Sequence, residues 1–124
     1  MTQDRKEIFD QIKKLMKKYE PPFTSRNESD SRYELWSEKE LEIYGRKRKE
    51  VYFGGIIIQS KYVGFYFMPV YSDASLKDVF GKELLSTLKG KSCFHIKKLD
   101  KKLLSQIKKA LESGFKLYKK RGWI

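Results

Sequence analysis

The sequence holds one cysteine, Cys93, and one histidine, His95. A single thiol excludes an internal disulfide and a cysteine-rich zinc site. Two such ligands also fall short of the three or four N, S or O donors that zinc takes. Internal repeats and low-complexity segments are missing, which excludes solenoids and linker-like chains. Long apolar runs are missing too. The longest, Tyr62 to Tyr71, contains Pro69 and falls well short of the roughly 20 residues of a membrane span. The opening Met1-Thr2-Gln3-Asp4 turns polar and acidic too early for a signal peptide. These absences lead to the expectation of a reduced, soluble, cytoplasmic domain without a membrane partner, a metal or a cofactor.

What is present suits one small folded domain over residues 1–124, because 40% of the residues are hydrophobic and 15% aromatic. Lys plus Arg number 28 against 16 Asp plus Glu, a net charge of +12. The surplus is uneven. Residues 1–20 carry six basic and four acidic groups, 21–81 nine and nine, and 82–124 thirteen and three. Nearly all the excess therefore sits in the last third. The middle is itself split, with Glu28 to Glu42 acidic and Arg46-Lys47-Arg48-Lys49 basic.

Periodicity orders the elements. Ile8, Ile12, Leu15, Met16 and Tyr19 follow helical spacing, predicting a helix over 3–19 with Thr2 as cap and Pro21-Pro22 as stop. Residues 21–31 read as a loop. Tyr33 and Leu35 alternate within 32–36, and Leu41 and Ile43 alternate within 40–44, predicting a hairpin with those four side chains inward. Gly45 to Lys49 reads as a basic loop. Val51–Gln59 and Tyr62–Tyr71 are β-branched and aromatic and separated only by Ser60-Lys61, a second hairpin. In the latter strand Val63, Phe65 and Phe67 face one way, and Tyr62, Tyr66 and Met68 the other. Leu76 to Leu88 supplies short helices broken near Gly81, and Ser92–Ile96 a fifth strand. Asp100 caps a final helix whose apolar stripe includes Leu103, Leu104, Ile107, Leu111, Phe115 and Tyr118. The predicted class is α+β: a mainly antiparallel five-stranded sheet packed with an N-terminal and a C-terminal helix.

Motifs that carry chemistry are few. Cys93 and His95 share a strand face with Cβ atoms roughly 6.5–7 Å apart, long for a nucleophile–base pair. A small buried cysteine and a strand-face histidine are the plainer account. Gly90-Lys91-Ser92 resembles the end of a phosphate-binding loop, but Leu85 stands where that motif needs glycine. Gly54-Gly55 inside an apolar strand points to a bulge or a close helix approach, the alternative being a ligand lying against bare backbone. Lys61 to Phe67 resembles the aromatic strand of RNA-recognition domains, yet Tyr66 stands where valine belongs and Met68 where the last aromatic belongs. Glu38, Glu40 and Glu42 would share a strand face, a weak set of hard-cation ligands or a solvated edge.

The stretch Val51–Ile124 resembles the YdhG-like family of small bacterial domains of unknown function. The residues that carry the resemblance are Tyr62-Val63-Gly64-Phe65-Tyr66-Phe67-Met68-Pro69-Val70-Tyr71, Gly90-Lys91-Ser92-Cys93-Phe94-His95, Gly114-Phe115 and Gly122-Trp123-Ile124. It implies a small α+β fold and no particular reaction. Some relatives are labelled iron chaperones through similarity to frataxin, whose acidic ridge begins on the first helix. Here that helix carries Lys13, Lys14, Lys17 and Lys18.

The expected function is a binding or accessory module, not an enzyme, since no acid–base pair or nucleophile constellation stands out. Its expected site is the aromatic sheet face of Tyr52, Tyr62, Tyr66 and Met68, beside Cys93 and His95, taking a small ligand or a protein. Two alternatives remain. One is non-specific nucleic-acid binding by the lysine-rich last third, through Lys97, Lys98, Lys101, Lys108 and Lys109. The other is a metal chaperone using Glu38, Glu40 and Glu42, or Cys93 and His95.

Overall fold

The computed structural model describes residues 4–43 and 45–124. The expected Thr2 cap lies outside the described residues, as do Tyr44 and the side chains of Leu41 and Ile43. Helix α1 (Arg5–Met16) continues as a 3-10 turn to Tyr19. Asp4 caps it, its carboxylate accepting from the Lys6 backbone N–H at 3.1 Å. Strands β1 (Thr24–Arg26), β2 (Arg32–Ser37), β3 (Leu41–Ile43), β4 (Arg46–Arg48), β5 (Val51–Ile58) and β6 (Val63–Phe67) follow. Then come α2 (Met68–Ser72), a 3-10 segment (Ala74–Val79), α3 (Lys82–Ser86), β7 (Leu88–Lys89), β8 (Cys93–Ile96) and α4 (Lys101–Lys120). Asp100 caps α4 as expected, accepting from the Leu103 N–H at 2.8 Å.

The α+β class holds, but the sheet has six strands, in the order β1-β2-β5-β6-β8-β7, with every pairing antiparallel. The expected hairpin of residues 32–36 with 40–44 does not form. β2 pairs with β5, and β3 pairs with β4 in a separate two-stranded ribbon. Alternation marks a strand but not its partner, and the turn chemistry lies at Gly45, whose φ of +78° suits a tight reversal between β3 and β4. The basic run is thus partly strand. A second correction concerns residues 62–71. The strand stops at Phe67, and Met68 starts a helix with Pro69 in its first turn, where proline removes no needed donor. β1 falls in the expected loop, and β7 adds a short edge beside β8.

α1 and α4 cover one face of the sheet. Tyr33, Leu35, Phe53, Phe65, Phe67 and Phe94 point into that layer and are fully buried, against Ile8, Phe9, Ile12 and Met16 of α1 and Ile107, Leu111 and Tyr118 of α4. Phe53 stacks on Phe23 at 4.3 Å and meets Tyr118 edge-on at 5.3 Å. The Tyr118 hydroxyl donates to the Tyr52 carbonyl at 2.7 Å, tying α4 to β5.

A β-bulge sets which β5 residues reach which face. Leu35 pairs with Gly54 and Trp36 with Tyr52, so Phe53 has no partner. The Gly54-Gly55 pair is therefore next to a bulge, one of its expected explanations. The bulge turns Tyr52, Gly55 and Ile57 to the face away from the helices, while Phe53 and Ile56 are fully buried.

Candidate functional site

The face opposite the helices is a grid fixed by strand register. One cross-strand row runs Arg26, Glu34, Gly55, Tyr66, Cys93, Lys89. On one side of it lie Trp36 and Tyr52. On the other lie Arg32, Ile57, Gly64 and His95. No helix covers the centre of this grid, and an open groove of about 730 Å³ is lined there by Asn27, Arg32, Glu34, Trp36, Tyr52, Ile57, Tyr66, Met68 and Ser92.

Two glycines leave room for tyrosine side chains to lean over bare backbone. A Cβ on Gly55 would collide with the Tyr52 hydroxyl, and one on Gly64 would stand 2.9 Å from the Tyr66 ring. Tyr52 meets Trp36 edge-on at 5.0 Å. The Arg26 guanidinium sits 5.0 Å over the Trp36 ring and pairs with Glu50 and Glu38. Met68, the first residue of α2, adds a polarisable edge.

Glu34 is the groove's one buried charge, only 5% exposed. Its Oε1 accepts from Trp36 Nε1 and Asn27 Nδ2, each at 3.0 Å. Its Oε2 takes the Arg32 fork, Nε at 2.8 Å and Nη2 at 2.6 Å. Burial alone would push this carboxyl up. The bonds from Trp36, Asn27 and Arg32, with the guanidinium charge, outweigh it and hold the group below its ordinary value. Glu34 therefore stays ionised and locks Trp36 and Arg32 in place. Burial pushes the Tyr52 and Tyr66 phenols up, so both remain neutral donors. Tyr66 receives a bond from Gln59 Nε2 at 3.3 Å.

Cys93 and His95 do not act on each other. The Cys93 thiol is raised by burial, which the Tyr66 hydrogen bond only partly offsets. His95 instead stacks on Tyr62 at 3.8 Å and 11° between planes, in the row next to that of Tyr66 and Cys93. Of the six expected site residues, Tyr52, Tyr66 and Met68 share the groove, Cys93 lies beside Tyr66, and Tyr62 with His95 forms a second ring platform.

His95 also borders a second pocket of about 460 Å³ at the β7–β8 edge, with Thr87, Lys89, Lys97 and Lys98. Lys97 and Lys98 are thus brought together, whereas Lys101, Lys108 and Lys109 are exposed on α4, which packs on the opposite side of the sheet. The expected carboxylate face is not built. Glu38 and Glu40 fall in the connection between β2 and β3, and only Glu42 is in a strand. Among the described residues, no three His, Cys, Asp or Glu side chains gather as a metal site. None of the described helices is long and apolar enough to cross a membrane.

The sequence reading missed Asn27, Arg32, Glu34 and Trp36. Placing Tyr33 and Leu35 inward already put Glu34 and Trp36 on the other face, but only the pairing of β2 with β5 brings them to Tyr52. Family models, curated proteins and solved structures yield no match to this chain.

Proposed function

We propose that the protein is a non-catalytic binding module that takes a flat, ring-bearing ligand on its open aromatic face. The observation that carries this reading is the groove itself. All the helical packing is on one side of the sheet, and the other side presents Trp36, Tyr52 and Tyr66 around an ionised, fully hydrogen-bonded Glu34. Such a lining offers ring faces for stacking and a few fixed polar groups for orientation. The phenols kept neutral and the thiol kept protonated support binding over acid–base or nucleophilic chemistry. Kinship with the YdhG-like domains is part of the proposal and adds no reaction to it. The single, unpaired Cys93 supports placing the protein in the reducing cytoplasm.

Amide and indole NMR spectra recorded with indole and quinoline as planar probes test the groove. Shifts confined to the Trp36 indole and to residues around Tyr52, Tyr66 and Met68 are expected. No shifts at millimolar probe, or shifts elsewhere only, would overturn the reading.

A further inference from the structure

The aromatic groove does not end at Tyr66. The same cross-strand row continues through Cys93 to Lys89, two strand spacings or about 10 Å from Tyr66. At that edge Lys89, Lys97 and Lys98 border the second pocket, and among the described residues none of the three is in an ion pair. The pocket's two carboxylates are already engaged: Asp100 caps α4, and Glu83 accepts from Gln106 at 2.7 Å and pairs with Lys102 at 3.5 Å. Between groove and lysines lies the stacked Tyr62–His95 platform. One face therefore combines rings placed over bare glycine backbone with three ammonium groups outside any described ion pair at its β7–β8 edge, in a pocket that also holds the Glu83 and Asp100 carboxylates.

We propose that this face binds single-stranded nucleic acid, with bases stacked on Tyr66, Tyr52 and the Tyr62–His95 pair and backbone phosphates held by Lys89, Lys97 and Lys98. The inference rests on reading the aromatic face as a ligand platform, and it names the ligand class. A duplex hides its base faces within its own stack, so rings on an open sheet face favour unpaired bases. Two ring platforms with a lysine edge span more than a single nucleotide offers. Lysines give point-charge contacts and rings accept any base, so binding is expected to be strong in salt dependence and weak in sequence preference.

Fluorescence anisotropy of the full chain with labelled oligo-dT and oligo-U of about ten nucleotides, titrated at several salt concentrations, tests this. Three phosphate contacts predict a slope of log affinity against log salt of about −2. Replacing Lys89, Lys97 and Lys98 together by alanine flattens that slope; all three are on the surface, so folding is retained. Tyr66→Ala weakens binding about tenfold or more while leaving the slope in place. The K108A/K109A variant on α4 binds as the parent does. No saturable binding at low salt overturns the proposal. So does equal affinity for duplex or for ATP, or a K108A/K109A loss as large as that of the triple variant. If indole and quinoline still shift the groove while no strand binds, this inference fails and the groove reading stands. If neither binds, both fail.

Discussion

Replacing Glu34 by glutamine keeps the shape of the side chain and removes its charge. The amide oxygen can still accept from Trp36 and Asn27, so the NH₂ group faces the Arg32 fork and displaces it. Arg32 is about half-exposed, with 49% of its side chain accessible, so its pair is worth at most about 1 kcal/mol. The bonds from Trp36 and Asn27 lose their charge assistance, together about 1–2 kcal/mol. Relief of the buried charge returns part of this, leaving a net loss of about 1–2 kcal/mol. For a domain of this length that corresponds to a fall in Tm of roughly 4–8 °C. Urea and thermal unfolding at neutral pH measure it. The pH dependence separates charge from shape. Glu34 binds its proton less readily in the folded protein than in the unfolded chain. Its stabilisation is therefore complete above the ordinary glutamate range and drains away as pH falls through that range and below. The gap between parent and E34Q should close over the same interval. A gap under about 0.5 kcal/mol at neutral pH, or one that persists unchanged in acid, refutes the account of Glu34 as an ionised tether.

Phe53→Ala removes a fully buried ring that touches Phe23, Phe67 and Tyr118, and should cost about 3–5 kcal/mol in urea unfolding. Tyr118→Phe deletes only the bond to the Tyr52 carbonyl and should cost about 1–2 kcal/mol in urea unfolding. Gly114→Ala sets a helix-propensity gain of about 1 kcal/mol against overpacking. The new methyl would stand 2.5 Å from the Phe67 ring and 2.7 Å from Pro69, both anchored, so a net loss of about 1–2 kcal/mol is expected in thermal melts.

The long helices were legible because their signals are local. The apolar spacing of Ile8, Ile12 and Met16 matches α1, and Asp100 heads α4, with ends displaced by a turn or less. The second hairpin was legible from its short connection, and β5 and β6 pair as expected. The face division of Tyr66 from Phe65 and Phe67 followed from period two alone. What escaped was non-local or very short. β1 and β7 are two or three residues long and exist because β2 and β8 offer them an edge. No pattern within 32–44 says that β2 will pair across to β5. The groove inherits that gap: its tyrosine half was readable on β5 and β6, while its Glu34 and Trp36 half depended on the partner chosen by β2.

The bulge explains why even the readable half could not be placed by alternation. In an unbroken strand Tyr52, Gly54 and Ile56 would share a face. Yet Ile56 is fully buried against the helices, and Tyr52 lines the groove. One extra residue at Phe53 reconciles the two. It sends Phe53 into the core and hands Gly55, not Gly54, to the open side beneath the Tyr52 hydroxyl. The two adjacent glycines then meet different constraints. Gly54 lies where a Cβ would be 3.0 Å from the Tyr66 carbonyl and in contact with Met16 of α1, so a side chain there presses on the core. At Gly55 a Cβ would collide with the Tyr52 hydroxyl and also stand 3.1 Å from the Tyr33 carbonyl and 3.2 Å from Glu34, so a side chain there displaces the ring, spoils the groove and presses on β2. Both substitutions should therefore lower stability, but only Gly55→Ala should also abolish the indole and quinoline shifts. If Gly54→Ala abolishes those shifts as well, the division of the sheet by its bulge is wrong.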